Sequence, residues 1–112
     1  MPGLRVRVTF GPFPGKEKAD KNTLYLATKE ERALLRPRRE GDVFWGKEGK
    51  KTLKKLMIDR RIPREDRNRI PVAEIGGQVA GVMGEGASAP FYLEAAGDPA
   101  VMIVFIHETE EE

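Results

Sequence analysis

With 112 residues, no cysteine and a formal net charge of +2, the chain is the size of one ordinary domain, and it excludes a disulfide framework or a thiolate metal site. Its longest apolar run, residues 100–106, is far short of the ~20 residues a membrane-spanning helix needs, and "MPGLRVRVTF" alternates cations with apolar residues instead of forming a signal-peptide core. A soluble cytoplasmic protein with no membrane partner is therefore expected.

The period-two pattern of Leu4, Val6, Val8 and Phe10, with Arg5, Arg7 and Thr9 between them, predicts a half-buried first strand that "GPFPG" brings to an end. A polar loop, "KEKADKN", leads to a second strand in "TLYLAT", and after a turn in "KEER" a third strand covers residues 33–36 and stops before Pro37. "RPRREGD" makes a cationic corner, because Pro37 restricts Arg36 to extended geometry and Gly41-Asp42 supplies turn chemistry.

One clear helix is expected over about residues 50–61. At about 100° per residue, Leu53, Leu56, Met57 and Arg60 share one side of it, and Lys51, Lys54, Lys55 and Arg61 the other. Arg60, on the apolar stripe, must snorkel or meet a carboxylate, and Ile58 among the cations implies a second packing contact. Pro63 ends this helix and opens a short one over about 63–69, with Glu65 and Asp66 in the first turn where the helix dipole favours anions.

"VAEIGGQVAGVM" reads as a hairpin turning at Gly76-Gly77. Beyond the loop "GEGASAP" two more strands are expected, "FYLEA" and "VMIVFIH"; the second is apolar enough for a central strand covered on both faces. The predicted fold class is α+β, a small, mostly antiparallel, β-sandwich-like domain over residues 1–107, with "ETEEE" at 108–112 as a frayed acidic tail. No internal repeat is present.

No catalytic site is legible, and no cofactor is expected. "GDVFWGKE" has P-loop spacing as far as Gly46-Lys47, but Glu48 stands where a magnesium-binding hydroxyl belongs, and Val43, Phe44 and Trp45 occupy the phosphate cradle. "GVMGEG" follows a hairpin and serves backbone turning. His107 has no second imidazole or thiol with which to hold a metal or build a triad. Asp42, Asp59, Glu65 and Asp66 have cationic sequence neighbours that offer them ion-pair roles.

The distribution of charge says more. Between Arg32 and Arg69 stand 14 Lys or Arg against 6 Asp or Glu, a net of +8, whereas the remainder carries 6 cations and 12 anions. Such a segment suits either an ion-paired, solvated surface or a phosphate-binding face. For the second reading the candidate RNA contacts are Arg36, Arg38, Arg39, Lys50, Lys51, Lys54, Lys55, Arg61, Arg64 and Arg67, with Arg69 beside them. Trp45, Phe44 and Tyr25 could stack on an exposed base, but with so few aromatics core packing is the role expected of them.

The order "RPRREGDVF", then "GKKTLKKLMIDRRIPREDRNRIPV", then a hairpin ending "VMG" resembles the C-terminal domain of bacterial tRNA(Ile)-lysidine synthetase. The positions that match are Arg39, Gly41, Asp42, Phe44, Gly49, Lys50, Lys51, Leu53, Lys54, Lys55, Ile62, Pro63, Arg67 and Pro71, within a best match over residues 34–84. The resemblance implies a small β-sandwich with accompanying helices, a fold shared with a domain of phenylalanyl-tRNA synthetase. It also implies a part that grips tRNA, notably the acceptor stem, for an enzyme that joins lysine to the wobble cytidine using ATP.

By that resemblance Arg39, Lys50, Lys51, Lys54, Lys55 and Arg67 are backbone contacts, and Gly41, Asp42, Leu53, Pro63 and Pro71 shape the scaffold. Val43 replaces the family's usual Arg, the loop after Phe44 is shortened, and the ATP-handling Ser-Gly-Gly loop is absent. The expectation is thus a free-standing, non-catalytic module that binds tRNA or another structured RNA, with a lysidine synthetase-like protein as a further partner. The alternative is a protein-interaction module docking through its sheet faces or Ile58.

Overall fold

The computed structural model describes residues 4–15 and 21–107. The acidic tail and most of the polar loop before the second strand lie outside the described residues, and so does the side chain of His107.

One long strand organises the first sheet. β1 (Leu4–Pro12) and β2 (Thr23–Ala27) pair antiparallel with the two sides of the last strand, β9 (Pro99–His107). The register aligns Val6 with Phe105, and Leu24 and Leu26 with Ile103 and Val101, so these side chains share one face. The central position matches the apolar sequence of β9, but cover on both faces does not: Val101, Ile103 and Phe105 are buried, while Met102 and Val104 are half-buried and Ile106 is exposed.

β1 also runs further than expected, through Gly11 opposite Ala100 and Pro12 opposite Pro99. It is an edge strand, paired on one side only, so a residue without an N–H is tolerated there.

The second sheet has the order β3 (Leu34–Arg36), β6 (Val72–Ile75), β7 (Gln78–Val82), β8 (Gly86–Ala87). The hairpin of β6 and β7 turns at Gly76 and Gly77, both at positive φ, as their sequence requires. One face packs Ala73, Ile75 and Ala80 against the first sheet and Phe91. The sheets approach so closely at Gly81 that a Cβ there would lie 2.9 Å from the Leu26 side chain and 3.3 Å from that of Leu24.

The other face carries Val72, Val79 and Val82, which bury Phe44, Leu53 and Leu56. Phe44 belongs to a hairpin of β4 (Val43–Gly46) and β5 (Gly49–Thr52), and Leu53 and Leu56 to the helix α1 (Leu53–Asp59) that follows it. The second sheet is thus the middle of three layers.

Two expectations are corrected here. Residues 50–52 are strand, not helix: Gly49, at φ +103, closes a two-residue turn, and the helix starts only where Thr52 accepts the Lys55 N–H at 3.2 Å. "FYLEA" is not a strand, because Pro90 opens a 3-10 helix, Ala89–Phe91, that carries Phe91 into the core. The apolar stripe of Leu53, Leu56 and Met57 is buried as expected, and Arg60 finds its carboxylate in Glu85.

Candidate nucleic-acid interface

A buried guanidinium holds the cationic corner. Arg36, only 7% exposed, donates to both carboxylate oxygens of Asp42 at 2.8 and 2.9 Å and to Glu74 at 2.7 Å. It also donates to the Pro37 carbonyl at 3.0 Å. Asp42 in turn accepts the Arg39 N–H at 2.6 Å, which ties residues 37–42 into a tight loop.

Burial pushes the Asp42 carboxyl up, but the Arg36 hydrogen bonds, the Arg39 N–H and the charges of both arginines outweigh it and hold the group below the usual carboxylate range. Arg36 is raised, chiefly by its hydrogen bond to Asp42 working against burial, with Glu74 adding to it. The expectation that Arg36 presents itself to phosphate is therefore corrected, since its donors already have two carboxylates and a carbonyl.

Above this anchor opens a groove of about 560 Å³ into which Arg38, Arg39, Lys54, Arg64 and Arg67 converge. The corner loop supplies the first two, and the first turn of α1 supplies Lys54. Arg64 and Arg67 come from the 3-10 helix Arg64–Arg69, in which residues three apart eclipse one another, so both face the groove. Arg67 is steadied by its Nε, which donates to the Ile62 carbonyl at 3.0 Å. Thr52 and Asn68 add polar lining, and among the described residues Glu40 is the one acid there besides the ion-paired Asp42.

Among the described residues, Arg38, Lys54, Arg64 and Arg67 have no carboxylate partner, while Arg39 lies 3.6 Å from Glu74. The Arg38 Nε is buried with no acceptor. A buried donor left unsatisfied costs about 1–3 kcal/mol, so the Arg38 side chain is held short of its full hydrogen bonding at the edge of the groove that it lines.

The remaining candidates lie elsewhere. Lys51 projects from the opposite face of the hairpin and pairs with Asp59 at 2.9 Å; Lys55 reaches the same carboxylate at 3.7 Å. Asp59 is accordingly held low, first by its Lys51 hydrogen bond. Lys50 stands over the Trp45 ring, 6.0 Å from its centroid, Arg61 follows the C-cap of α1 at φ +57, and Arg69 comes within 4.0 Å of Asp66. The cations therefore do not make one continuous plateau.

The aromatic expectation is met by Phe44, which is buried; Tyr25, paired with Met102 on the outer face of the first sheet, is half-buried edge-on to Phe13 and outside the core. Trp45 departs from it, at 43% exposed. Ile58, 48% exposed, lacks the second packing contact expected of it, and a lone exposed isoleucine is ordinary.

The family model described as "TilS substrate C-terminal domain" matches residues 34–103, the stretch that builds the corner, the hairpin, the helix and both walls of the groove. The chain belongs to this family. Among curated relatives, the tRNA(Ile)-lysidine synthase of Clostridium acetobutylicum is 42% identical over 62 residues, covering 54% of this chain and 13% of that protein. The enzyme of the same name from Caldanaerobacter subterraneus subsp. tengcongensis is 34% identical over 77 residues, or 67% and 16%. That of Persephonella marina is 36% identical over 66 residues, or 57% and 15%. The chain thus spans about one-seventh of the length of these relatives.

A solved structure described as the TilS C-terminal domain matches with a TM-score of 0.78 at 24% identity, covering 96% of this chain and 87% of that one. The likeness in fold therefore reaches well beyond residues 34–84, where the motifs lie. Of the six positions that resemblance to the family marks as contacts, Arg39, Lys54 and Arg67 line the groove, and Lys50, Lys51 and Lys55 do not.

Among the described residues, no helix is long and apolar enough to cross a membrane.

Proposed function

We propose that this chain is a non-catalytic, cytoplasmic RNA-binding module that holds the sugar-phosphate backbone of a tRNA in the groove between the cationic corner and the 3-10 helix. It serves tRNA modification together with a lysidine synthase-like catalytic partner. Residues 1–107 act as one domain.

The observation that carries this reading is the convergence of five cations from three elements on one groove, four of them with no carboxylate partner among the described residues. Ion-paired surface networks place each cation against an acid, as Lys51 and Lys55 are placed against Asp59. A groove in which four of five cations lack an acid is arranged for an external anion. The contacts are to phosphate, so they recognise backbone shape and charge and not sequence.

Binding of the whole chain to unfractionated tRNA, measured by fluorescence anisotropy, tests this. If about five phosphates are neutralised, affinity falls by roughly 10²–10³-fold between 50 and 200 mM salt. Absence of binding at 50 mM salt, or binding indifferent to salt, would overturn the reading.

A further inference from the structure

We propose that Trp45 is a stacking platform for one unpaired nucleobase, seated in a cleft that continues the basic groove. The proposal rests on the reading of the groove as an RNA-backbone site and adds the kind of nucleotide that the surface beside it takes.

Trp45 is the only tryptophan in the chain. Large aromatic rings are seldom left in water without a reason, because they carry more apolar area than any other side chain. Its exposure is not a frayed end: its backbone N–H donates to Oγ of the fully buried Ser88 at 2.9 Å, and the strand pairs through Gly46 with Gly49.

The hairpin register directs the ring towards the groove side of the molecule. Val43 faces Thr52 and Trp45 faces Lys50 across the two strands, so these four side chains share one face, and Thr52 lines the groove.

Next to the ring is a cleft of about 220 Å³ walled by Trp45, Gly77 and Gln78 and floored by Gly41 and Asp42, which also belong to the groove. Groove and cleft adjoin at these two shared residues. Gly41 and Gly77 both take positive φ, and a Cβ on either would meet nothing within 4 Å, so the approach is open. Exposed Gln78 offers one amide donor and one acceptor to a base edge. Lys50 Nζ lies over one face of the ring, 6.0 Å from its centroid, a contact at the outer limit of cation–π range that a stacking base would displace or leave on the far face.

A base inside a duplex has its faces covered by its neighbours, so a tryptophan platform selects an unpaired nucleotide adjoining the helix held in the groove.

The test uses an RNA hairpin with a four-nucleotide single-stranded overhang and the same hairpin made blunt, with the full chain at 50 mM salt. The overhang RNA is expected to quench the Trp45 fluorescence and the blunt RNA to leave it unchanged. By anisotropy of labelled RNA, Trp45→Ala should lose about tenfold in affinity for the overhang RNA and nothing for the blunt one, while Trp45→Phe keeps most of the difference. Equal binding of the overhang RNA by Trp45→Ala and wild type, with both RNAs lost by Lys54→Glu/Arg64→Glu, would overturn the platform and leave the groove standing. Saturating overhang RNA that leaves wild-type fluorescence unquenched would overturn it without recourse to any variant. If wild type binds neither RNA, the groove reading falls and the platform with it.

Discussion

Arg36 and Asp42 meet through two parallel hydrogen bonds of 2.8 and 2.9 Å, a fork of guanidinium on carboxylate, and a third guanidinium N–H reaches Glu74 on the adjacent strand. The pairing ties the loop that carries Arg38 and Arg39 to the sheet that carries the core. Stability and the shape of the groove therefore depend on the same ion cluster.

Removing the cation leaves two carboxylates facing each other in a poorly solvated place. Arg36→Ala should cost about 3–5 kcal/mol of folding stability, the range for breaking a buried ion pair from one side. Urea denaturation of the variant measures it. A loss below about 1 kcal/mol would mean the cluster is as replaceable as a surface pair.

The same cluster predicts an acid limb. Asp42 titrates lower in the folded chain than its unfolded value of about 3.9. As pH falls, the unfolded state therefore takes up this proton first. The Asp42 contribution is complete above about pH 4 to 5 and is lost as pH drops through the folded value. Denaturant melts between pH 3 and 7 should show stability falling at the acid end, with a shallower fall in Asp42→Asn.

The end of α1 offers a stabilising change. Arg61 takes φ +57 one residue past the C-cap Arg60, where Ile62 N–H reaches back to the Met57 carbonyl at 3.0 Å. That position usually holds glycine, because an L side chain in the left-handed region costs about 1 kcal/mol or more. Arg61→Gly should gain about 1 kcal/mol by thermal or urea melting. Because Arg61 lies outside the groove, tRNA affinity should change little.

Much of this fold was legible from local pattern. Alternation in β1 and β2, the glycine pair at the β6–β7 turn, the proline at the start of the 3-10 helix and the stripe of Leu53, Leu56 and Met57 each rest on residues close together in the chain. The β4–β5 hairpin was not legible, because its turn, Lys47-Glu48, has none of the Asn-Gly or Gly-Gly chemistry that marks a two-residue connection. The lysines of β5 consequently read as the first turn of a helix. Thr52, a good capping residue, was the local sign of the true start.

The site divides the same way. Sequence marks every groove cation as basic, but basicity does not say which cations already have acids beside them. Arg36 meets Glu74 across 38 residues of chain, and Lys51 meets Asp59 only because a hairpin strand folds back along the helix. The exposure of Trp45, next to buried Phe44, follows from the hairpin register and is invisible without it.

Paired charge reversals, inside and outside the groove, test the central claim that position and not net charge creates the RNA surface. Lys54→Glu/Arg64→Glu and Lys55→Glu/Arg61→Glu change the formal charge equally, and only the first pair lines the groove. The measurement is the salt dependence of tRNA affinity for each. The groove pair should weaken binding strongly and lower the salt slope by about two, one for each phosphate contact removed, with less than half that change in the outer pair. Equal losses from the two pairs would contradict the account and make the groove one part of a diffuse basic surface.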